Sequence, residues 1–289
     1  MIPGEFDYYS PTSLDEALAL LRQHGDDAKI LAGGQSLIPA MRFRLAAPKV
    51  LIDLNRVTGL SHITEVNGHL AIGALTRESD VDESALVKQK YPLLADTARV
   101  IADPLVRNMA TVGGNLAHAD PANDHPATML AYGAQVVAVG PGGQRTIPID
   151  DFFVDLFENS LADDEILTEV RIPAPAAHSG GCYLKMERKV GDYAIAAVAV
   201  QLTLSGDTCA AVRIGLTNVS AVPMRAKGAE AALLGKSLTE DNIKAAGVAA
   251  SQECEPSADL RGSEAYKRDM VRVLTARAIR TAVARAKGA

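Results

Sequence analysis

Apolar positions near the start of the chain follow a helical rhythm and then give way to short continuous runs. Leu14, Leu18 and Leu21 fall on one stripe, which predicts an amphipathic helix over residues 12–24. Ser13 followed by Glu16 has the form of a capping box, and Gly25 stands where such a helix closes. Residues 29–32 then read as a short strand running directly into Gly33-Gly34, with a new helix from near Ser36 that carries Met41. Residues 50–54 form a second buried run. This first part is predicted to be a small α/β unit with a glycine turn at the end of a strand.

The pattern then becomes longer and mixed. Residues 69–75 read as a strand, 79–88 as a polar helix and 93–100 as a helical run. A glycine-containing stretch follows, then a helix over 126–132 with Asp124 as its expected cap. Residues 134–139 and 145–149 form a hairpin about Pro141-Gly142-Gly143, and a further strand led by 164–167 ends at Ile172-Pro173. Pro173-Ala174-Pro175 and Ser179-Gly180-Gly181 read as a linker. Beyond it, residues 183–188, 194–204 and 209–216 predict an antiparallel meander of three strands, and 226–234, 240–253 and 263–287 predict helices. The fold class is α+β. The expected division is residues 1–176, with subdomains of about 1–56 and 57–176, followed by a second domain over 177–289.

Composition narrows the function classes. A hydrophobic content of 48% in 289 residues supports a sizeable core. A formal net charge of −6 argues against a general nucleic-acid or membrane-surface binder. The one basic concentration, Arg272, Arg277, Arg280, Arg285 and Lys287, lies on a helical pattern without aromatics and reads as a solvated or docking face. No apolar run approaches the ~20 residues of a transmembrane helix, and the first residues lack the form of a signal peptide. A cytoplasmic protein is the expectation. Cys182, Cys209 and Cys254 stand far apart, so they cannot ligate a four-cysteine iron–sulfur cluster and read as buried thiols. His118, Asp120, Asp124 and His125 crowd together, but their spacing matches no usual ligand motif, and a polar loop is expected there.

Two stretches share one grammar. Ala32-Gly33-Gly34-Gln35-Ser36 and Ala110-Thr111-Val112-Gly113-Gly114-Asn115 each pass from an apolar residue through a glycine pair to polar side chains. Glycine pairs let a backbone turn tightly or approach a ligand without a Cβ between them. Neither stretch is a dinucleotide fingerprint of the Gly-x-Gly-x-x-Gly kind, nor a phosphate loop of the Walker type. No nucleophile elbow surrounds Ser36. Tight turns and a two-sided ligand clasp both remain open on these residues alone. The third feature is Lys189-Val190-Gly191-Asp192-Tyr193, where a tyrosine at the mouth of a buried strand can cover the core edge or stack on an aromatic ligand.

In these three motifs, taken in order, the chain resembles the FAD-binding medium subunits of molybdenum hydroxylases, the xanthine dehydrogenase family, and among them most resembles the aerobic carbon monoxide dehydrogenase branch. The resemblance runs over essentially the whole length. It implies a vanillyl-alcohol-oxidase-like (PCMH-type) FAD-binding fold of two α/β subdomains, followed by a C-terminal domain with a three-stranded antiparallel sheet and helices. It also implies that Leu31, Ala32, Gly33, Gly34, Gln35, Ser36 and Leu37 cradle the FAD diphosphate, with Lys29 just upstream as a weaker carry-over. Ala110, Thr111, Gly114 and Asn115 would close from the other side, and Asp124 would reach the adenosine ribose. Ile101 and Leu167 would line the cofactor, Lys185 would lie near the isoalloxazine, and Tyr193 would stack beside that ring. Carbon monoxide dehydrogenases often carry histidine where this chain has Gln35, and neither His nor Cys is present in that loop to attach a flavin covalently.

The same resemblance implies partners. A large subunit would carry a molybdenum cofactor and a small one would carry two [2Fe–2S] clusters, in a dimer of heterotrimers. This chain would pass electrons from those clusters to an acceptor such as quinone, with association to the inner face of the membrane left open. It would contribute no catalytic acid or base and no metal ligand. A subunit of an N-heterocycle or aldehyde hydroxylase is the alternative within the family. A non-redox nucleotide-binding module and a stand-alone flavin oxidase are the alternatives outside it.

Overall fold

The computed structural model describes residues 2–288, which build three main sheets. In the first, β1 (Asp7–Tyr9), β3 (Val50–Asp53) and β2 (Ala28–Leu31) pair in parallel in that order. Helix α1 (Leu14–His24) packs on it through Ala17, Leu18 and Leu21. Ser13 caps α1 by accepting from the Glu16 amide at 3.2 Å, while the Glu16 carboxylate accepts from the amide of Thr12 at 2.8 Å. The capping box therefore closes one residue further upstream than its usual form. Short α2 (Leu37–Arg42) follows the first glycine pair and buries Met41.

The second sheet is antiparallel throughout. Its strands are β4 (Ile63–Val66), β5 (His69–Gly73), β6 (Gln135–Gly140), β7 (Gly143–Pro148) and β10 (Ile166–Pro173), in the order β4-β5-β10-β6-β7. A two-stranded ribbon, β8 (Phe153–Asp155) with β9 (Glu158–Asn159), leads into β10. Between β5 and β6 the chain forms α3 (Glu78–Glu83), α4 (Ala85–Lys90), α5 (Pro92–Val100), α6 (Pro104–Arg107), α7 (Val112–His118) and α8 (Asp124–Tyr132). The polar helix expected over 79–88 is thus two helices. Ser84 divides them, ending one and capping the other by accepting from the Val87 amide. Every residue of α8 is buried. It lies between the second and third sheets, so it carries no polar face for periodicity to detect.

In the third sheet β11 (Ser179–Met186), β12 (Ala196–Ser205), β13 (Thr208–Thr217) and β14 (Met224–Arg225) run antiparallel in sequence order. The meander has four strands and not three, because a two-residue segment pairs Gly215 and Leu216 beyond the third. Helices α9 (Lys227–Leu233), α10 (Glu240–Glu253) and α11 (Glu264–Ala286) complete the chain. Among the described residues, no helix is long and apolar enough to cross a membrane.

One expectation about this region needs correction. Ser179-Gly180-Gly181 is not linker but the start of β11. A Cβ on Gly180 would fall 2.1 Å from the carbonyl oxygen of Ala282, so glycine is what lets α11 lie on the strand. Of the two readings of the basic residues of α11, a solvated or a docking face, Arg285 follows the second. Arg285 grips Asp96 of α5 with both Nη atoms, at 2.6 and 3.1 Å, and ties the last helix to the second sheet's helical layer. Arg272, Arg280 and Lys287 pair with Asp269, Glu240 and Asp207.

Replacing Gly180 with valine is therefore expected to destabilise the protein by at least about 3 kcal/mol, since backbone stands where the side chain must go. A thermal unfolding midpoint unchanged from that of the parent would contradict this packing.

Candidate functional site

The two glycine pairs have the same grammar in sequence and different structures. The first is a turn. β2 ends at Leu31, and Gly34 adopts φ +74°, which a residue with a side chain rarely takes. The chain then enters α2 with Ser36 at the cap position, where its hydroxyl makes no capping bond. The backbone amides of Gly33, Gly34, Gln35 and Ser36 find no acceptor among the described residues. Four successive donors left open at a strand-to-helix turn make a concave, electropositive nest of backbone.

The second pair is not a turn but the first turn of α7. Thr111 caps this helix, its hydroxyl accepting from the Gly114 amide at 3.2 Å. The amides of Val112, Gly113 and Asn115 donate to the carbonyls of Thr76, Ala74 and Thr111. A Cβ on Gly113 would fall 2.6–2.7 Å from Ala74, so that glycine serves helix-to-strand packing. This stretch has no spare backbone donors over 112–115. What it offers a ligand is side chains: the Thr111 hydroxyl proton, and the Asn115 amide, whose buried Oδ1 has no partner.

The two stretches meet directly. A Cβ on Gly33 would lie 2.2 Å from the Met109 carbonyl oxygen and 2.8 Å from the Cα of Ala110. One on Gly114 would lie 3.6 Å from the Cβ of Ala32. Two further residues, absent from the motifs, lie beside this contact. Asn55, in the turn after β3, donates Nδ2 to the Ala32 carbonyl at 2.9 Å. Arg77, ahead of α3, donates Nη2 to Asn55 Oδ1 at 2.6 Å and Nη1 to the Met109 carbonyl. An asparagine and an arginine beside short elements carry no sequence signal of such a role.

The third motif docks from the C-terminal side. Gly191 has φ +81°, and a Cβ there would fall 2.9 Å from the Ala102 carbonyl, so this turn abuts the residues just after Ile101. Asp192 accepts from Arg261 Nη2 at 2.8 Å and lies 3.6 Å from Arg188; the bond from Arg261 chiefly holds its carboxyl below the usual range. The Arg261 guanidinium carbon stands 5.5 Å from the Tyr193 ring centroid. Tyr193 remains 43% exposed.

Other expected site residues lie deeper. Asp124 does not cap α8; Asn123 holds the cap position and Asp124 is the first helical residue. The Asp124 carboxylate accepts from Tyr183 Oη at 2.5 Å and from Lys185 Nζ at 2.9 Å. Burial pushes its carboxyl up, opposed by the Lys185 ammonium, and burial together with Asp124 pushes the Tyr183 hydroxyl well up, which keeps it a donor. Lys185 is 2% exposed and also donates to the Val100 carbonyl at 3.1 Å. Asp124 and Lys185 therefore face each other inside the protein, tied to the end of α5 at Val100. Ile101 is buried, Leu167 belongs to the main core, Leu31, Leu37 and Ala110 are half-buried, and Lys29 is exposed on β2.

The crowd of acids and histidines disperses. Asp120 bonds the Ala122 amide, His118 leans on Phe157, and His125 pairs with Glu78 at 2.7 Å in full burial. Among the described residues no group of three or more such side chains could hold a metal ion.

An open nest of amide donors at the end of β2, in contact with the loop that carries Thr111 and Asn115, suits an anionic group such as a phosphate. The class this defines is a protein that binds a phosphate-bearing ligand through backbone amides. Residues 4–175 match the family model described as the FAD binding domain in molybdopterin dehydrogenase, and residues 181–282 match the CO dehydrogenase flavoprotein C-terminal domain. The chain is 46% identical to the carbon monoxide dehydrogenase medium chain of Hydrogenophaga pseudoflava, covering 99% of each. It is 38% identical to the 6-hydroxypseudooxynicotine dehydrogenase complex subunit alpha of Paenarthrobacter nicotinovorans, over 99% of this chain and 97% of that one. The structure superposes on carbon monoxide dehydrogenase from Hydrogenophaga pseudoflava, in a form lacking the Mo-pyranopterin moiety, with a TM-score of 0.97 and 99% of both chains covered. The chain belongs to the FAD-binding flavoprotein family of the molybdopterin dehydrogenases.

The turn that carries Arg261 generates a pH prediction. Asp259 accepts from Lys267 Nζ at 2.8 Å and from the amides of Arg261 and Gly262 at 2.7 and 3.0 Å. Burial works against the charged form, but these bonds together lower its carboxyl from 3.8 to about 2. A depressed carboxyl contributes stability that is complete above the ordinary value and lost as pH falls through about 2. Asp259→Asn should cost roughly 1 kcal/mol at neutral pH, allowing for solvent screening. The gap between variant and parent in unfolding midpoint should narrow from pH 4 downward; a gap constant down to about pH 2 would contradict the assignment.

Proposed function

We propose that this chain is the FAD-carrying electron-transfer subunit of a three-subunit molybdenum and iron–sulfur hydroxylase, and that the substrate is carbon monoxide. The observation that carries the flavin site is the run of open amides at Gly33, Gly34, Gln35 and Ser36, in contact with the loop that carries Thr111 and Asn115. Those amides hold the diphosphate without a cluster of cationic side chains, which suits an acidic chain. Gly34 supplies the turn, Leu31, Ala32 and Leu37 flank it, and Gly114 leaves room on the opposite side. Asn115 directs its amide at the ligand's polar groups. Asp124 and Lys185 pair inward, and Ile101 with Leu167 supplies apolar packing. Tyr193, half-exposed and backed by Arg261, presents its free face to the isoalloxazine.

When bound, FAD supplies a two-electron store between a one-electron relay and an external acceptor. The division of labour follows from this chain's residues, which hold and tune and include no acid or base placed for catalysis. The large partner would convert CO and water into CO2, two protons and two electrons. The small partner's [2Fe–2S] clusters would relay the electrons, since this chain's three cysteines are separately buried. The acceptor is a quinone, the assembly a dimer of heterotrimers, and the location the cytoplasm at the inner face of the membrane. Similarity to carbon monoxide dehydrogenase medium chains over 99% of the length supports CO. Similarity to the 6-hydroxypseudooxynicotine dehydrogenase subunit favours an N-heterocycle as the second reading, since the substrate is bound by another polypeptide.

The complex, recovered through a tag on this chain, is expected to show flavin absorbance and to reduce a quinone analogue with CO. An assembled but flavin-free complex would refute the flavin assignment; oxidation of an N-heterocycle without CO turnover would refute the substrate. Tyr193→Ala is expected to keep FAD and to shift its midpoint potential by about 10–30 mV, equivalent to about 0.5–1.5 kcal/mol of ring contact. An unmoved potential and acceptor profile would remove Tyr193 from the site.

A further inference from the structure

Asn55 and Arg77 belong to none of the three motifs, yet they bond to both sides of the closest approach between the two loops. Asn55 Nδ2 holds the Ala32 carbonyl at 2.9 Å. That carbonyl and the Gly33 amide share one peptide plane, so holding the oxygen aims the first N–H of the open run. On the other side, Arg77 Nη1 holds the Met109 carbonyl, the oxygen that stands where a Cβ of Gly33 would be. Arg77 Nη2 closes the chain on Asn55 Oδ1 at 2.6 Å. Asn55 is itself fixed from below, its own amide donating to Asp53 Oδ1 at 2.9 Å.

We propose that Asn55 and Arg77 form one latch that sets the spacing of the two loops and the aim of the Gly33 amide, and thereby sets the affinity for the FAD diphosphate. The inference rests on the flavin reading above. Both are positioning residues, acting through Ala32 and Met109. The planar guanidinium is the part that lysine cannot replace. Its two Nη groups reach two acceptors at a fixed separation, whereas a single ammonium offers charge without that fork.

Because the four groups act in series, cutting the chain at any link should have the effect of cutting it at all of them. The test uses the assembled complex, deflavinated and titrated with FAD. Asn55→Ala, Arg77→Met and Arg77→Lys are each expected to weaken FAD binding about tenfold, the scale of one charge-assisted hydrogen bond. The Asn55→Ala/Arg77→Met double variant is expected to lose about the same tenfold, where independent residues would lose about a hundredfold. The flavin-free melting temperatures should stay together while the affinities separate.

Parental affinity in both single variants, or additive losses in the double variant, would overturn the latch. Full retention by Arg77→Lys would overturn it too, since charge alone would then suffice. A parent complex that takes up no FAD would instead refute the flavin reading, which keeps the two failures apart.

Discussion

Backbone meets backbone where Gly33 lies against the Met109 carbonyl, and the arrangement of the site depends on that contact. A single added carbon would sit 2.2 Å from the oxygen, a distance no real Cβ tolerates. The consequence reaches beyond one residue. With the loops in contact, the open run of amides over Gly33–Ser36 lies beside the start of α7, and Asn55 with Arg77 bridges both sides. Widening the contact would separate all of these at once, because interiors are close-packed and do not stretch continuously.

A second constraint holds the site from below. Tyr183 and Lys185 sit on β11, whereas their shared partner Asp124 begins α8. The buried ion pair thus joins the third sheet to the helical layer of the second. Arg285 does the same from α11 by gripping Asp96. Breaking the Asp124–Lys185 pair would leave a buried charge unmatched, which is far costlier than never having had the pair. The turn bearing Tyr193 is also held from both sides, by the close approach of Gly191 to Ala102 and by Asp192 with Arg261. The three motifs are therefore fixed relative to one another by polar and steric contacts as well as by the cores around them.

The two glycine pairs show what the chain's local grammar could and could not carry. Both read as turns, and only Gly33-Gly34 is one. Gly113-Gly114 is helical because Thr111 caps that helix and because Ala74 leaves no room for a side chain at Gly113. Capping residues are visible in sequence; the backbone of a distant strand is not. The same holds for Gly180-Gly181, which reads as linker until α11 is seen lying across it. Asp124 reads as the cap of α8, whereas Asn123 holds that position, and the burial of Asp124 against Lys185 depends on a strand that arrives some sixty residues later.

The sequence by itself determined the α+β class, the stripe of α1, the strand that runs into Gly33, and three motifs sufficient to indicate the family. These are legible because each rests on neighbours within a few residues: periodicity, a cap, a turn conformation. Only the tertiary structure decided which amides stay open and which are consumed, since an acceptor such as Ala74 or Thr76 lies in the distant turn after β5. It alone placed Asn55 and Arg77 across the gap, through bonds spanning loops far apart in the chain. The fold leaves the first glycine pair's amides open and sets them against the Met109 carbonyl, a contact that no local pattern encodes.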